Sequence, residues 1–181
     1  MFELLRTESA KKILGTLLGA FLAGLFGVGS TFYTEHVKSI KDENAACRIV
    51  ALQLDSEITG IRSLNNINNR DNKRGINITH IGDSSDFLKY RATISDLLTQ
   101  NEMEGINNMF SDVSRVDHIM DVIVRMSVGT SNYEQNPYFI IYSNGYWDTV
   151  ENMNKDIDKY ELIAIKNKLV NLSNRSSYFT W

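Results

Sequence analysis

The chain has 181 residues, a formal net charge of −3, one cysteine and one proline. So small a charge excludes a polycationic nucleic-acid-binding role for the chain as a whole and leaves room for a local basic patch. A lone cysteine, Cys47, excludes an intrachain disulfide and reads as a small core residue, while the near absence of proline favours long helices. The expected fold is mainly α: an N-terminal transmembrane helix continuing into a long amphipathic, coiled-coil-like helix, then a small helical soluble domain.

Residues 1–12 are a short, mildly amphipathic N-terminal flank whose Phe2, Leu4 and Leu5 suit a bilayer surface. Residues 13–33, ILGTLLGAFLAGLFGVGSTFY, hold no charged residue. At about 1.5 Å rise per residue, a helix of this length crosses the ~30 Å hydrocarbon core, so membrane lipids are its first partner. Gly15, Gly19, Ala23, Gly27 and Thr31 recur at every fourth position, while Leu17, Leu18, Phe21, Leu22, Leu25 and Phe26 crowd the other faces. A nearly bare backbone face suits close helix–helix approach. Gly15, Thr16, Gly19, Ala23, Gly27, Ser30 and Thr31 are the expected oligomer or pore face. In a tight ring this face is a dry constriction that gates by dewetting.

A cleaved signal peptide with Lys11 and Lys12 as its basic flank is the rival reading of this stretch. Against it, the apolar run exceeds a usual signal core and an amphipathic pattern continues directly from it. Orientation is nearly balanced, with Arg6, Lys11 and Lys12 on one side and Lys38, Lys41 and Arg48 on the other. The charged, disulfide-free, Asn-rich remainder favours a cytoplasmic C-terminal domain on a single-pass protein of the cell (inner) membrane.

Residues 34–64 form a helical stalk. Val37, Ile40, Asn44, Cys47, Ala51, Leu54, Ile58 and Ile61 alternate at spacings of three and four, a heptad seam whose one polar member, Asn44, suits a register-setting role. Anchor and stalk together read as one rod of some fifty residues, ~75 Å at the helical rise. Two packings fit the seam. Copies of the chain pair along it, or the helix folds back on its own domain with Ile49, Val50 and Leu52 widening the apolar face.

Residues 65–82 read as an Asn-rich basic loop with Arg70, Lys73 and Arg74, and Arg62 shortly before it. Ile76, Ile78 and Ile81 form either one short strand or a loop tucked onto the helices. Residues 83–181 read as the helical soluble domain. Asp83 or Ser84 caps a first helix to about residue 99, with Phe87, Arg91, Ile94 and Leu98 on one line. A second helix over about 102–128 carries Met109, Val113, Val116, Met120, Ile123 and Ser127. Residues 133–147 concentrate Tyr133, Tyr138, Phe139, Tyr142, Tyr146 and Trp147, and Pro137 suits the first turn of a short helix, with a strand over 138–142 as the alternative. Helices over 147–156 and 159–174 follow, the last with Leu162, Ile165, Leu169 and Leu172 on one face.

No catalytic set is visible, so no enzymatic activity and no cofactor are expected. Asp117 and Asp121 share a helix face near Asp112 and His118, but no third ligand stands at metal-binding spacing, and this reads as the wet side of a helix. His36 and His80 lack nucleophile or acid companions, and no glycine-rich phosphate loop follows a strand. The cations Arg62, Arg70, Lys73 and Arg74 suit phosphates of a nucleotide or oligonucleotide, or anionic lipid headgroups. The aromatic stretch suits base stacking or, equally, a helical core.

The layout of one glycine-patterned membrane helix, built on Gly15, Gly19 and Gly27, plus a small sensing domain resembles the membrane effectors of bacterial anti-phage systems such as CBASS, type III CRISPR or Hailong defence. What the resemblance implies is an oligomeric, gated pore-forming or membrane-disrupting effector controlled by a nucleotide or oligonucleotide. The alternative is a passive membrane anchor or adaptor whose soluble domain docks a partner protein.

Overall fold

The structure, a computed structural model, describes residues 8–70, 80–82, 84–128 and 135–176. These residues form helices and no strand: α1 (Glu8–Arg70), α2 (Ser85–Ser95), α3 (Gln100–Ser127), α4 (Pro137–Lys159) and α5 (Leu162–Ser173). The fold is mainly α, with a long N-terminal helix followed by shorter ones. By contacts the chain divides into two units, Met1–Asp42 with Ser176–Trp181, and Glu43–Arg175.

In the first unit, α1 carries an apolar segment near the N-terminus that is long enough to cross a membrane, with none of its most apolar window buried. Ile13, Leu17, Leu18, Phe21, Leu22, Leu25, Phe26 and Phe32 are all exposed. The helix does not stop at Leu64 but runs on through Arg70. The Asn-rich stretch lowers helix propensity by only tenths of a kcal/mol per residue, so a helix already nucleated and packed upstream continues into it. Residues 1–7, 71–79, Asp83 and 129–132 lie outside the described residues, and with them Ile76 and Ile78 of the expected strand or tucked loop; Ile81, the third of that set, is buried in the core.

The second unit is a helical core. α1 contributes Ala46, Cys47, Val50, Leu54, Ile58, Ile61 and Leu64, all buried. α5 lies antiparallel to this part of α1, with Arg175 Nη2 donating to Glu43 Oε2 at 2.8 Å near one end and Lys166 Nζ to Asp55 Oδ1 at 2.8 Å farther along. α3 and α4 form an antiparallel hairpin. Gly105 meets Tyr160 at one end, and Ile119 approaches Gly145 in the middle.

Helix ends follow from local chemistry. Thr99 and Glu102 make a capping box for α3: Thr99 N–H donates to Glu102 Oε2 at 2.7 Å, and Glu102 N–H to Thr99 Oγ1 at 3.3 Å. That cap explains why α2 ends at Ser95 rather than near residue 99. Ser84 stands at the N-cap of α2, but its hydroxyl makes no cap bond and instead sits 2.9 Å from Ser114 Oγ. Residues 137–159 are one continuous helix, neither a short helix nor a strand, because Asn136 caps it, donated to by Tyr138 N–H at 3.0 Å, and Pro137 fills its first turn. Glu161, at φ 53° and ψ 41°, takes the left-handed conformation that separates α4 from α5.

Candidate functional site

The small-residue face of α1 is exposed backbone. A Cβ placed on Gly15, Gly19, Gly24, Gly27 or Gly29 would meet nothing within 4 Å, so nothing described in this chain packs against them. The hydroxyls beside them are spent within the helix. Thr16 Oγ1 donates to the Lys12 carbonyl at 2.9 Å, Ser30 Oγ and Thr31 Oγ1 to that of Gly27 at 2.8 and 3.0 Å, and Thr34 Oγ1 to that of Ser30 at 2.8 Å. Such back-bonding satisfies the hydroxyls where no water is available. The face Gly15, Thr16, Gly19, Ala23, Gly27, Ser30 and Thr31 therefore presents small, internally satisfied surface with no demand for a polar partner.

The stalk seam divides. Val37 and Ile40 are half-buried. From Asn44 onward the seam turns into this chain's own core: Cys47, Ala51, Leu54, Ile58 and Ile61 are buried, and Asn44 Nδ2 donates to the Arg175 carbonyl at 2.8 Å. Of the two packings that fit the pattern, the fold-back accounts for these residues. Val50 joins the core, Ile49 is half-buried and Leu52 is exposed. Burial pushes the Cys47 thiol up, Arg175 pulling against it and Glu43 adding to it, so Cys47 is a poor nucleophile.

Of the basic residues, Lys73, Arg74 and the side chain of Arg70 lie outside the described residues. Arg62 is described, and it does not stand as a free cation: its Nη2 lies 3.4 Å from Asp158 Oδ1. It lines a groove of about 440 Å³ with Thr59, Ser63, Asn66 and Lys166, the last held by Asp55. Two cations matched by two carboxylates leave this groove little net pull on an anion. Lys166 sits far along the chain on α5, and nothing local tied it to Arg62.

The acidic residues of α3 are dispersed. Asp117 Oδ1 lies 3.0 Å from His80 Nδ1, Asp112 Oδ1 lies 3.7 Å from Arg115 Nη1, and His118 and Asp121 are exposed. Burial pushes the Asp112 carboxyl up, Arg115 opposing and Asp156 adding. No group of three metal-ligating side chains occurs among the described residues. The aromatic stretch is mixed as well. Tyr146 and Trp147 are core, edge to face with centroids 5.0 Å apart, whereas Tyr138 is exposed and Tyr133 lies outside the described residues.

No family model matches this chain, no curated protein matches it, and no solved structure matches its fold.

A second groove, of about 450 Å³, lies between α2 and α3. Its cation, Arg91, stands on α2 between Phe87 and Ile94 of the expected apolar line, whose last member, Leu98, falls beyond the end of α2. The signal in the sequence was a guanidinium at a position where the pattern calls for an apolar side chain.

Proposed function

We propose that this protein is an oligomeric single-pass membrane protein of the cell's inner membrane that acts as a gated pore-forming or membrane-disrupting effector, with its helical unit on the cytoplasmic side as the ligand-responsive part. The observation that carries the reading is the open space beside the glycines of α1. A glycine inside a helix costs about 0.5–1 kcal/mol relative to alanine. At Gly15, Gly19 and Gly27 no contact within the described chain offsets that cost. The offset comes from outside, from the close approach of another copy of the same face. With the hydroxyls already bonded to their own helix, a ring of such faces is held by packing, and modest rotation opens or closes it. Its use in anti-phage defence rests on the resemblance of layout.

The test is permeabilisation of liposomes or of the cell membrane by the full chain. Gly19→Leu fills the face without shortening the span, so insertion is kept, cross-linked oligomers disappear, and dye or ion release falls about five- to thirtyfold if the packing removed is worth the 1–2 kcal/mol of membrane helix association. Release unchanged by Gly19→Leu rejects the reading.

A second reading, a passive anchor or adaptor, is favoured by the exposed apolar side chains Val124, Val128, Tyr138, Ile140 and Ile141 at the ends of α3 and α4 that the hairpin joins. A patch of this kind suits a partner protein. That reading predicts no permeabilisation by the parent chain and a stable complex with another protein.

A further inference from the structure

We propose that the groove between α2 and α3 binds a small organic phosphate, with Arg91 as the residue that holds the phosphoryl group. The proposal rests on the reading of Glu43–Arg175 as the ligand-responsive unit, and it supplies a site for that response other than the basic loop.

At about 450 Å³ the groove is of small-ligand size. Its walls hold one cation, Arg91, and no carboxylate among the described lining residues. Arg91 is exposed and makes no ion pair or hydrogen bond to any other described residue. Asn107 and Ser111, which line the opposite wall on α3, likewise donate to no other described residue. The contrast with the α1–α5 groove is direct. There Arg62 and Lys166 are matched by Asp158 and Asp55, whereas here the guanidinium is unmatched.

Donor count decides the class of anion. A guanidinium fork, a side-chain amide and a hydroxyl offer more N–H and O–H groups than a two-oxygen carboxylate accepts, and they match the three oxygens of a phosphoryl group. The rest of the groove suits an organic body. Its floor is the stacked pair Phe87 and Phe110, with ring centroids 4.4 Å apart and 13° between planes, and Leu88 stands 63% exposed at its edge. Ser84 and Ser114 are bonded to each other at 2.9 Å, which leaves the phosphate to Arg91, Asn107 and Ser111.

The test is calorimetric titration of the detergent-solubilised full chain with phenyl phosphate and a nucleoside monophosphate, against benzoate and the unphosphorylated nucleoside. Saturable binding of the phosphorylated probes is expected, weakened roughly tenfold or more by Arg91→Ala, the scale of a missing charge-assisted hydrogen bond. Arg91→Lys keeps part of the affinity, and Arg62→Ala leaves it unchanged. Because Arg91 is exposed, the melting temperature of Arg91→Ala should match the parent, so lost binding is not lost folding. Binding that survives Arg91→Ala, benzoate bound as tightly as phenyl phosphate, or no binding of either phosphorylated probe in the millimolar range overturns the proposal. Titration of Gly19→Leu separates the two readings: phosphate binding retained while permeabilisation is lost keeps the site independent of the pore.

Discussion

At the scale of single residues, the junction around Thr99 shows how few groups fix where one helix ends and the next begins. Glu102 closes the capping box and also accepts from Lys168 Nζ on α5 at 2.7 and 3.0 Å. Partial burial pushes its carboxyl up, but the Lys168 ammonium and the Thr99 donors outweigh that and hold it below the usual carboxylate range. A carboxylate held low in the folded state stabilises the fold above its unfolded value of about 4.3, and that contribution disappears as pH falls through the folded value. Glu102→Gln can keep the capping box, since glutamine serves at that position too, but it removes the charge that Lys168 meets, so it should lower stability at neutral pH by up to about 1 kcal/mol. It should also flatten the acid limb of a melting-temperature profile as pH falls below the ordinary glutamate value of about 4.3. An acid limb identical to the parent's would show that Lys168 and Thr99 do not act on this group. The expectation of a helix to about residue 99 passed over the Thr99-x-x-Glu102 spacing, and the reach of Lys168, 66 positions away, has no local signal at all.

Among elements, the α3–α4 hairpin depends on a glycine that periodicity does not flag. Gly105 is buried, and a Cβ there would lie 2.7 Å from Tyr160 Cβ and 2.9 Å from its Cγ. Alanine gains up to about 1 kcal/mol of helix propensity over glycine. The steric clash outweighs that gain, because Tyr160 Cβ sits next to its own backbone and has no rotamer to escape into. Overpacking of this kind costs about 1–3 kcal/mol, so Gly105→Ala should be net destabilising by roughly 1 kcal/mol in denaturant unfolding. A stabilised variant would mean that α3 and the end of α4 can separate without penalty. Elsewhere the elements follow their patterns closely. Met109, Val113, Val116, Met120 and Ile123 of α3 and Leu162, Ile165 and Leu169 of α5 are buried, as their spacing requires, while Ser127 and Leu172 at the ends of those lines are only partly so. The aromatic stretch was harder to read, since consecutive aromatics carry neither the helical nor the strand period. Asn136 and Pro137 decided for one helix.

For the molecule as a whole, every buried hydrophobic residue described falls between Ala46 and Leu169, inside the unit Glu43–Arg175, while α1 before it exposes leucine and phenylalanine on all sides. A fragment of residues 43–181 should therefore be soluble without detergent and unfold cooperatively, and the full chain should partition into membranes. Circular dichroism melts and gel filtration of the fragment check this. A fragment that aggregates or melts without cooperativity would place part of the core's support in the first unit.

The sequence by itself determined the membrane-length apolar stretch, the small-residue face within it, the mainly α class and the periodic core lines of α3 and α5, because each depends on neighbours a few residues apart. Only the tertiary structure decided which way the stalk seam faces. A heptad pattern specifies an apolar stripe without naming its partner, and the chain's own core supplied it: Cys47, Ala51, Leu54, Ile58 and Ile61 share one buried cluster with residues of the shorter helices. The same holds for charge. Neither the basic stretch near Arg62 nor the apolar line around Arg91 says that Asp158 meets the one and no described carboxylate the other. Electrostatic pairing is set by distances between residues remote in the chain, and those exist only once the helices have packed.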